Sequence, residues 1–314
     1  MAEWLYEAGI GEARAALVSR GRIWKARIEV DDGGPRVDAV LRARLVDRSG
    51  ERTGKVALDG GGEALVEPLP RALTQGAYLN VRIVREGIIE RGRLRLPKAV
   101  PSDDPVRAGR DLAARIAASG LPVRMLRAHE PDALEEAGWS EVIEEATSGD
   151  IAFAGGFLRM AVTPAMTLFD VDGPPPHGPL AVAAAHAVAQ AIERHGIGGS
   201  IGVDFPTLAS KTERNAVADA IDAALPQPFE RTALNGFGFL QIVRRRARAS
   251  LPEAILGDPV GHAARALLRR IEREPPGGAT DYRVPPAIAR RLTERPDWTD
   301  ALARRTGRAI TFIA

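Results

Sequence analysis

A parallel α/β unit joined to a small all-β barrel is the fold class this sequence predicts, and three observations carry it. First, two short apolar segments bounded by Gly and Pro, residues 166–172 and 198–205, flank a helical run over 180–195. In that run Leu180, Val182, Ala184, Val188 and Ile192 are the apolar positions, and Gly196 stands just past its end as a helix C-cap. A strand–helix–strand unit of this length is a right-handed parallel crossover. Second, residues 36–98 hold several short strand-like runs separated by turns at Ser49-Gly50, Gly60-Gly-Gly62 and Gly76, the spacing of a small barrel. Third, 314 residues with 45% hydrophobic and 27% charged side chains can bury two or three compact units.

Taken in order, residues 3–30 contain strand-like runs at 4–6, 15–18 and 23–30, punctuated by Gly9, Gly11 and Gly21. The loop 31–35 (Asp-Asp-Gly-Gly-Pro) marks a boundary before the barrel. The last part of the barrel, 81–96, alternates apolar and basic residues, which places Arg93 and Arg95 on one solvent face. Residues 97–105 read as a linker. Helices are predicted over 106–119 and 133–147, with a short strand near Val123. Residues 153–170 read as a strand pair bent at Pro164. After Asp204 come an amphipathic helix over 211–225 and a strand over 236–243 that runs into Arg244-Arg-Arg246. The tail predicts a basic helix (263–274), a Pro/Gly loop, a second helix (286–293) and a terminal strand (309–313).

Composition narrows the function. The net charge is only +2, so the chain is not a bulk polycation, and Lys occurs only at 25, 55, 98 and 211. The remaining bases are Arg, which suits bidentate phosphate contacts and is also what a GC-rich genome encodes. Aromatics are scarce at 5%, and there is no Cys, so disulfide and thiolate chemistry are excluded. The N-terminus lacks the cationic-then-apolar order of a signal peptide. No apolar run approaches the roughly 18 residues of a membrane span. A cytoplasmic protein with no membrane partner is expected.

The candidate site follows from the topology. Parallel strands bring their C-terminal ends to one sheet edge, where open α/β sheets bind ligands, so Asp170 and Asp204 are expected to meet there. Asp172, two residues after Asp170, leaves from the same face if the strand continues. Three converging carboxylates without a matched set of bases suit a hard divalent cation, Mg²⁺ or Mn²⁺. The alternative for any one Asp is a loop cap. Arg244, Arg245 and Arg246, with Arg248, follow the next strand and are expected to hold phosphates beside the metal or to form a solvated basic loop. Lys211 and Arg214 open the helix after Asp204, where a helix N-terminus favours anions; surface solvation is the alternative. The five histidines have no metal-ligand spacing, and no Ser is placed as a nucleophile.

These residues resemble the ribonuclease E/G family. That family has a strand ending in Asp-Val-Asn or Asp-Ile-Asn, an Ile-Gly-Gly element leading into Ile-Asp-Phe, a helix opening with bases, and a strand ending in Thr-Arg-Lys-Arg. The counterparts here are Asp170-Val-Asp172, Ile197-Gly-Gly-Ser-Ile-Gly-Val-Asp204-Phe, Lys211 with Arg214, and Gly238-Phe-Leu-Gln-Ile-Val-Arg244-Arg-Arg246. The resemblance extends to the opening strands and to the tail. It implies an RNase H-like layer (1–30 and 100–165), an S1/OB-type β-barrel (31–99), a DNase I-like catalytic domain (166–252) and a small C-terminal α/β domain (253–314). It further implies Mg²⁺-dependent cleavage of single-stranded RNA, in RNA processing or decay. Asp170 and Asp204 would be the metal-binding catalytic residues and Asp172 a third ligand. Lys211, Arg214, Arg244, Arg245, Arg246, Arg91, Arg93 and Arg95 would bind RNA. Asp172 stands where the family has Asn, Val123-Arg-Met where its 5′-phosphate sensor has Val-Arg-Thr, and Ala57 and Leu65 where its barrel has aromatics. Without Cys the family's zinc-linked dimer is excluded, so no zinc is expected and the oligomeric state stays open. A non-catalytic RNA-binding protein of the same fold and a DNA phosphodiesterase are the competing readings.

Overall fold

The computed structural model describes residues 1–90, 92–275 and 277–314. The chain opens with an antiparallel meander, β1 (Glu3–Ala8), β2 (Glu12–Ser19) and β3 (Arg22–Val30), as the three apolar runs predict. Both faces of this sheet are covered, which is why Trp4, Leu5 and Tyr6 are all buried. Leu5, Ala16 and Ala26 face one core and Trp4, Tyr6 and Ala15 the other.

The barrel consists of β4 (Val40–Arg48), β5 (Gly54–Leu58), β6 (Glu63–Val66) and β7 (Tyr78–Arg85). A hairpin, β8 (Ile88–Glu90) and β9 (Arg93–Arg95), then leaves the barrel wall, and β10 (Lys98–Pro101) returns to close it. Ala43, Leu45, Val56, Ala64, Val66, Val81, Ile83 and Ala99 fill the interior. Five strands closed on themselves match an OB-type barrel in number. The expected linker at 97–105 is therefore corrected: its first half is the closing stave, which pairs parallel to β6 and antiparallel to β7. Four residues flanked by Pro97 and ending in Pro101, with Ala99 alone buried, offer no alternation to read.

The predicted helix at 106–119 shrinks to α1 (Leu112–Ala117), capped by Asp111, whose Oδ1 accepts from the Ala114 N–H at 2.7 Å. The residues before it run along the barrel, where Arg107 bridges Val40. Gly109 permits this approach, since a Cβ there would lie 2.7 Å from the Val37 carbonyl oxygen. β11 (Val123–Met125) then adds to β1 in parallel. The helix predicted over 133–147 is broken by Gly138 (φ +94°) into α2 (Ala133–Glu136) and α3 (Trp139–Ser148).

The central sheet contains β12 (Asp150–Phe153), β13 (Gly156–Val162), β14 (Thr167–Asp172), β15 (Gly199–Asp204), β16 (Glu230–Arg231) and β17 (Phe239–Arg244). Its order is β12-β13-β14-β15-β17-β16, with β14 and β15 parallel and the other pairs antiparallel. The crossover helix α4 (His177–His195) and α5 (Lys211–Ala224) cover one face. Leu158, Phe169, Val171, Ile201, Val203, Leu240 and Ile242 meet Ala184, Val188, Ile192, Val217 and Ile221 there. α4 is also packed against β3, and Arg27 of β3 donates to the Glu193 and Arg194 carbonyls at its C-terminus. Being enclosed on two sides explains its Ala-rich, weakly amphipathic sequence. No helix among the described residues covers the other face of the central sheet.

The tail forms α6 (Leu251–Gly257), α7 (Pro259–Glu272), β18 (Asp281–Arg283), α8 (Pro286–Glu294), α9 (Pro296–Thr306) and β19 (Thr311–Ile313). Leu251 and Ile255 of α6 belong to the core under the N-terminal sheet, whereas Ala264, Leu268, Ile271, Leu292, Trp298 and Leu302 form a separate core with Ile10 of the β1–β2 turn. Among the described residues no helix is long and apolar enough to cross a membrane.

Candidate catalytic face and cationic cleft

Period-two alternation decides what the open face carries. In β14, Thr167, Phe169 and Val171 point to the helices, so Leu168, Asp170 and Asp172 point away from them. In β15, Ile201 and Val203 point inward and Asp204 outward. Asp170 and Asp204 are direct register partners on the parallel pair, on strands about 4.8 Å apart. Both are exposed, as is Asp172. The acids engaged in ion pairs on the helices that cover this sheet are Glu193 and Asp222. Among the described residues the three aspartates have no such partner.

The structure brings two of the three expected carboxylates into register. No group of three or more His, Cys, Asp or Glu side chains among the described residues is close enough to hold a metal ion. Asp172 lies two residues beyond Asp170, about 6.6 Å along the strand and opposite Phe157. The pair fits Mg²⁺: it offers exposed hard oxygens held in no ion pair among the described residues, and Mg²⁺ takes one or two carboxylates and completes its octahedron with water and phosphate oxygens.

Reading across the sheet, register places Arg159, Asp170, Asp204 and Phe239 in one row. Arg159 is exposed, and no ion pair holds it among the described residues. Sequence reasoning missed both Arg159 and Phe239. The alternation of 157–162 could have signalled Arg159 once the hairpin register was known.

The basic run is elsewhere. β17 is antiparallel to β15, with Phe239 opposite Asp204 and Arg244 opposite Gly199. Arg244 therefore sits at the other edge of the sheet, five residues or about 16 Å from the aspartates, not beside them. Arg244 pairs with Glu193 at 2.8 Å, Arg246 with Glu90 (3.0 Å) and Glu253, and Arg248 with Glu86 (3.0 Å). Arg245 is exposed. At the aspartate edge, Lys211 is exposed at the start of α5, while Arg214 donates to the Leu208 carbonyl at 3.2 Å and ties down the loop before the helix. Ser210 and Glu213 form a capping box there, so the helix terminus already has its anion.

The arginines at the far edge meet bases from the barrel. Arg85, Arg95, Lys98, Arg245 and Arg246 line a cleft of about 450 Å³ together with Gly199 and Ser200. Arg95 pairs with Glu90 (3.2 Å), and Arg93 is exposed on the same short strand. Arg91 lies outside the described residues. Arg85 donates from Nη2 to the Leu96 carbonyl at 2.8 Å, while its buried Nε has no partner among the described residues. Burial, then the nearby Arg95 and Arg246, push its pKa below the usual Arg value. An anion in this cleft would relieve that repulsion. Arg85 was missed because within a barrel stave it reads as ordinary outward-facing polarity, and Lys98 because its stave reads as linker.

His195 is a packing residue. It is fully buried at the end of α4, with Nε2 3.2 Å from Glu145, and burial holds its pKa below the ordinary value.

No protein-family model matches the chain, and no curated protein matches it.

Proposed function

We propose that this chain is a Mg²⁺-dependent endoribonuclease of the kind its resemblance to the ribonuclease E/G family implies, with the open face of the central sheet as its DNase I-like catalytic surface and the N-terminal sheet as the RNase H-like layer. The observation that carries the reading is the in-register Asp170–Asp204 pair, unpaired and exposed at the C-terminal edge of two parallel strands. Asp170 and Asp204 would hold the ion, which when bound polarises a phosphoryl group and lowers the pKa of an attacking water. Arg159 would balance negative charge that grows on the phosphoryl oxygens. Water oxygen bonds to phosphorus, the bond to the 3′ oxygen breaks, and the products are a 3′-hydroxyl and a 5′-phosphate. The cleft of Arg85, Arg95, Lys98 and Arg245 would grip backbone phosphates several nucleotides from the cut.

Cleavage of a 5′-labelled single-stranded RNA by the full chain in Mg²⁺, and its loss in chelator, is the expected result. DNA of the same sequence, left intact, separates a ribonuclease from a DNA phosphodiesterase. The second reading, a non-catalytic RNA-binding protein, is favoured by the distance between the cationic cleft and the aspartates; it requires RNA to be bound equally in Mg²⁺ and chelator and to stay intact. On either reading Arg245→Ala weakens RNA binding for all sequences. It reduces the slope of log affinity against log salt by about 0.7, the value for one phosphate contact on a single strand. An unchanged slope across a salt titration removes Arg245 from the RNA path.

A further inference from the structure

Phe237 is 86% exposed, more than Tyr78 (55%) or Trp24 (49%) in a chain poor in aromatics. The other two have partners: Arg42 lies over the Tyr78 ring at 4.7 Å, and the Trp24 indole N–H donates to the Ser19 carbonyl at 3.4 Å. Phe237 has neither, yet its backbone is firmly held. Asn235 Oδ1 accepts from the N–H groups of Phe237 (2.9 Å) and Phe239 (3.0 Å), and the Asn235 N–H donates to the Phe239 carbonyl (3.0 Å). Gly238, at φ +93°, fastens the turn to the residue after Asp204: the Phe205 N–H donates to its carbonyl at 2.9 Å, and a Cβ on Gly238 would lie 2.1 Å from the Phe205 oxygen. The turn thus fixes the Phe237 backbone next to the residue that follows Asp204 and leaves its ring in water.

Phe239, two residues on, belongs to the row itself. It is the register partner of Asp204, and its ring covers Gly202: a Cβ there would be 2.7 Å from Phe239 Cζ and 2.8 Å from Leu168 Cδ2. Only a glycine at 202 lets the ring lie this close to the strand. The row of side chains therefore passes from a cation (Arg159) through two carboxylates to an aromatic surface.

We propose that Phe237 is the stacking platform for a nucleobase next to the scissile phosphate, and that it restricts the site to unpaired RNA. The inference rests on the ribonuclease reading of the same face. The ion and Arg159 would serve the phosphate being cut, and the row ends in Phe239 rather than a further base, so the neighbouring contact is made through the neutral face of a nucleobase. Aromatic–base stacking tolerates every sequence because every base has a π-face. A duplex keeps those faces stacked within itself and cannot offer one to Phe237. Phe237 is a positioning residue: it touches the base and not the reacting atoms.

The test is steady-state cleavage by wild type, Phe237→Ala and Phe237→Trp, with single-stranded and duplex RNA of one sequence. Binding is read in parallel from the fluorescence of 2-aminopurine placed beside the cleaved bond. Wild type is expected to cut the single strand, spare the duplex and quench the probe. Phe237→Ala is expected to raise KM by about 5- to 150-fold, the range of one lost base stack, to leave kcat nearly unchanged and to lose the quench; Phe237→Trp restores both. Wild-type cleavage with an unaltered KM in Phe237→Ala, or equal cutting of the duplex, overturns the platform and leaves the ribonuclease standing. Wild type that neither binds nor cuts RNA overturns both.

Discussion

Asp204→Asn is expected to leave the fold intact and reduce RNA cleavage by at least about 10²–10³-fold, the loss typical when one group that stabilises developing charge is removed. The folding half of this expectation follows from position. Asp204 is exposed, has no ion pair among the described residues, and ends a strand whose inward residues Ile201 and Val203 remain in the core. Asn keeps the shape and removes the negative charge that would attract a hard cation. Asp170→Asn should match it, because the two are register partners on one parallel pair. Asp172→Asn should cost far less, since Asp172 stands one pleat further along the strand and, unlike Asp170, is not the register partner of Asp204. Cleavage of labelled RNA over a Mg²⁺ titration distinguishes the cases: the two partners lose rate at every concentration, while the Asp172 variant regains it with excess metal. Full activity in both Asp170→Asn and Asp204→Asn would end the metal assignment, and an unfolded circular dichroism spectrum would show that the carboxylates serve the fold.

Local patterns made the strands and the crossover legible, whereas long-range register did not show in them. The alternation around Asp170 and the helix between the strands sufficed to bring Asp170 and Asp204 together, because a parallel crossover has only one handedness. The arginine run failed for the opposite reason. A strand following a helix can return parallel or antiparallel; residues 236–243 alternate in the same way in either case, yet the choice moves Arg244 about 16 Å from one sheet edge to the other. The closing stave at Lys98–Pro101 was hidden by its length, and the broken helix at Gly138 by a single residue of positive φ. Arg159 and Phe239 could not be found from spacing at all. They join the row only through hairpin register across three strand pairs. The cationic cleft likewise gathers bases from the barrel and from the sheet that lie far apart in sequence.

The largest stability effect is expected far from that face, at Glu12. This carboxylate is almost fully buried between the N-terminal sheet and α7; Arg265 Nε donates to its Oε2 at 2.6 Å, and Arg14 Nη2 lies 2.5 Å from its Oε1. Arg14 and Arg269 reach on to Glu7 at 2.8 and 2.7 Å, and Arg269 to Asp132 at 2.7 Å. The network thereby fastens the tail to the opening strands. Taking one partner from a buried pair strands the other charge, so Glu12→Ala is expected to destabilise the protein by about 3–5 kcal/mol, read as a lowered urea midpoint. Arg265→Met should cost a similar amount. The double variant should cost clearly less than the two together, because neither charge is then left alone. The pH dependence has a definite sign. Burial pushes the Glu12 carboxyl up, but Arg14 and Arg265 outweigh it and hold its pKa below the ordinary 4.5. A carboxylate depressed in the folded state contributes stability that is fully present above its unfolded value and is lost as pH falls through the folded one. Wild type should therefore weaken progressively on acidification below about pH 4.5, the ordinary carboxylate value. Glu12→Gln, already weakened at neutral pH, should show a shallower acid limb. Parallel acid limbs in the two proteins would mean that Glu12 is no longer coupled to its arginines, and that apolar packing of Ile10 against Trp298 and Leu302 holds the tail instead.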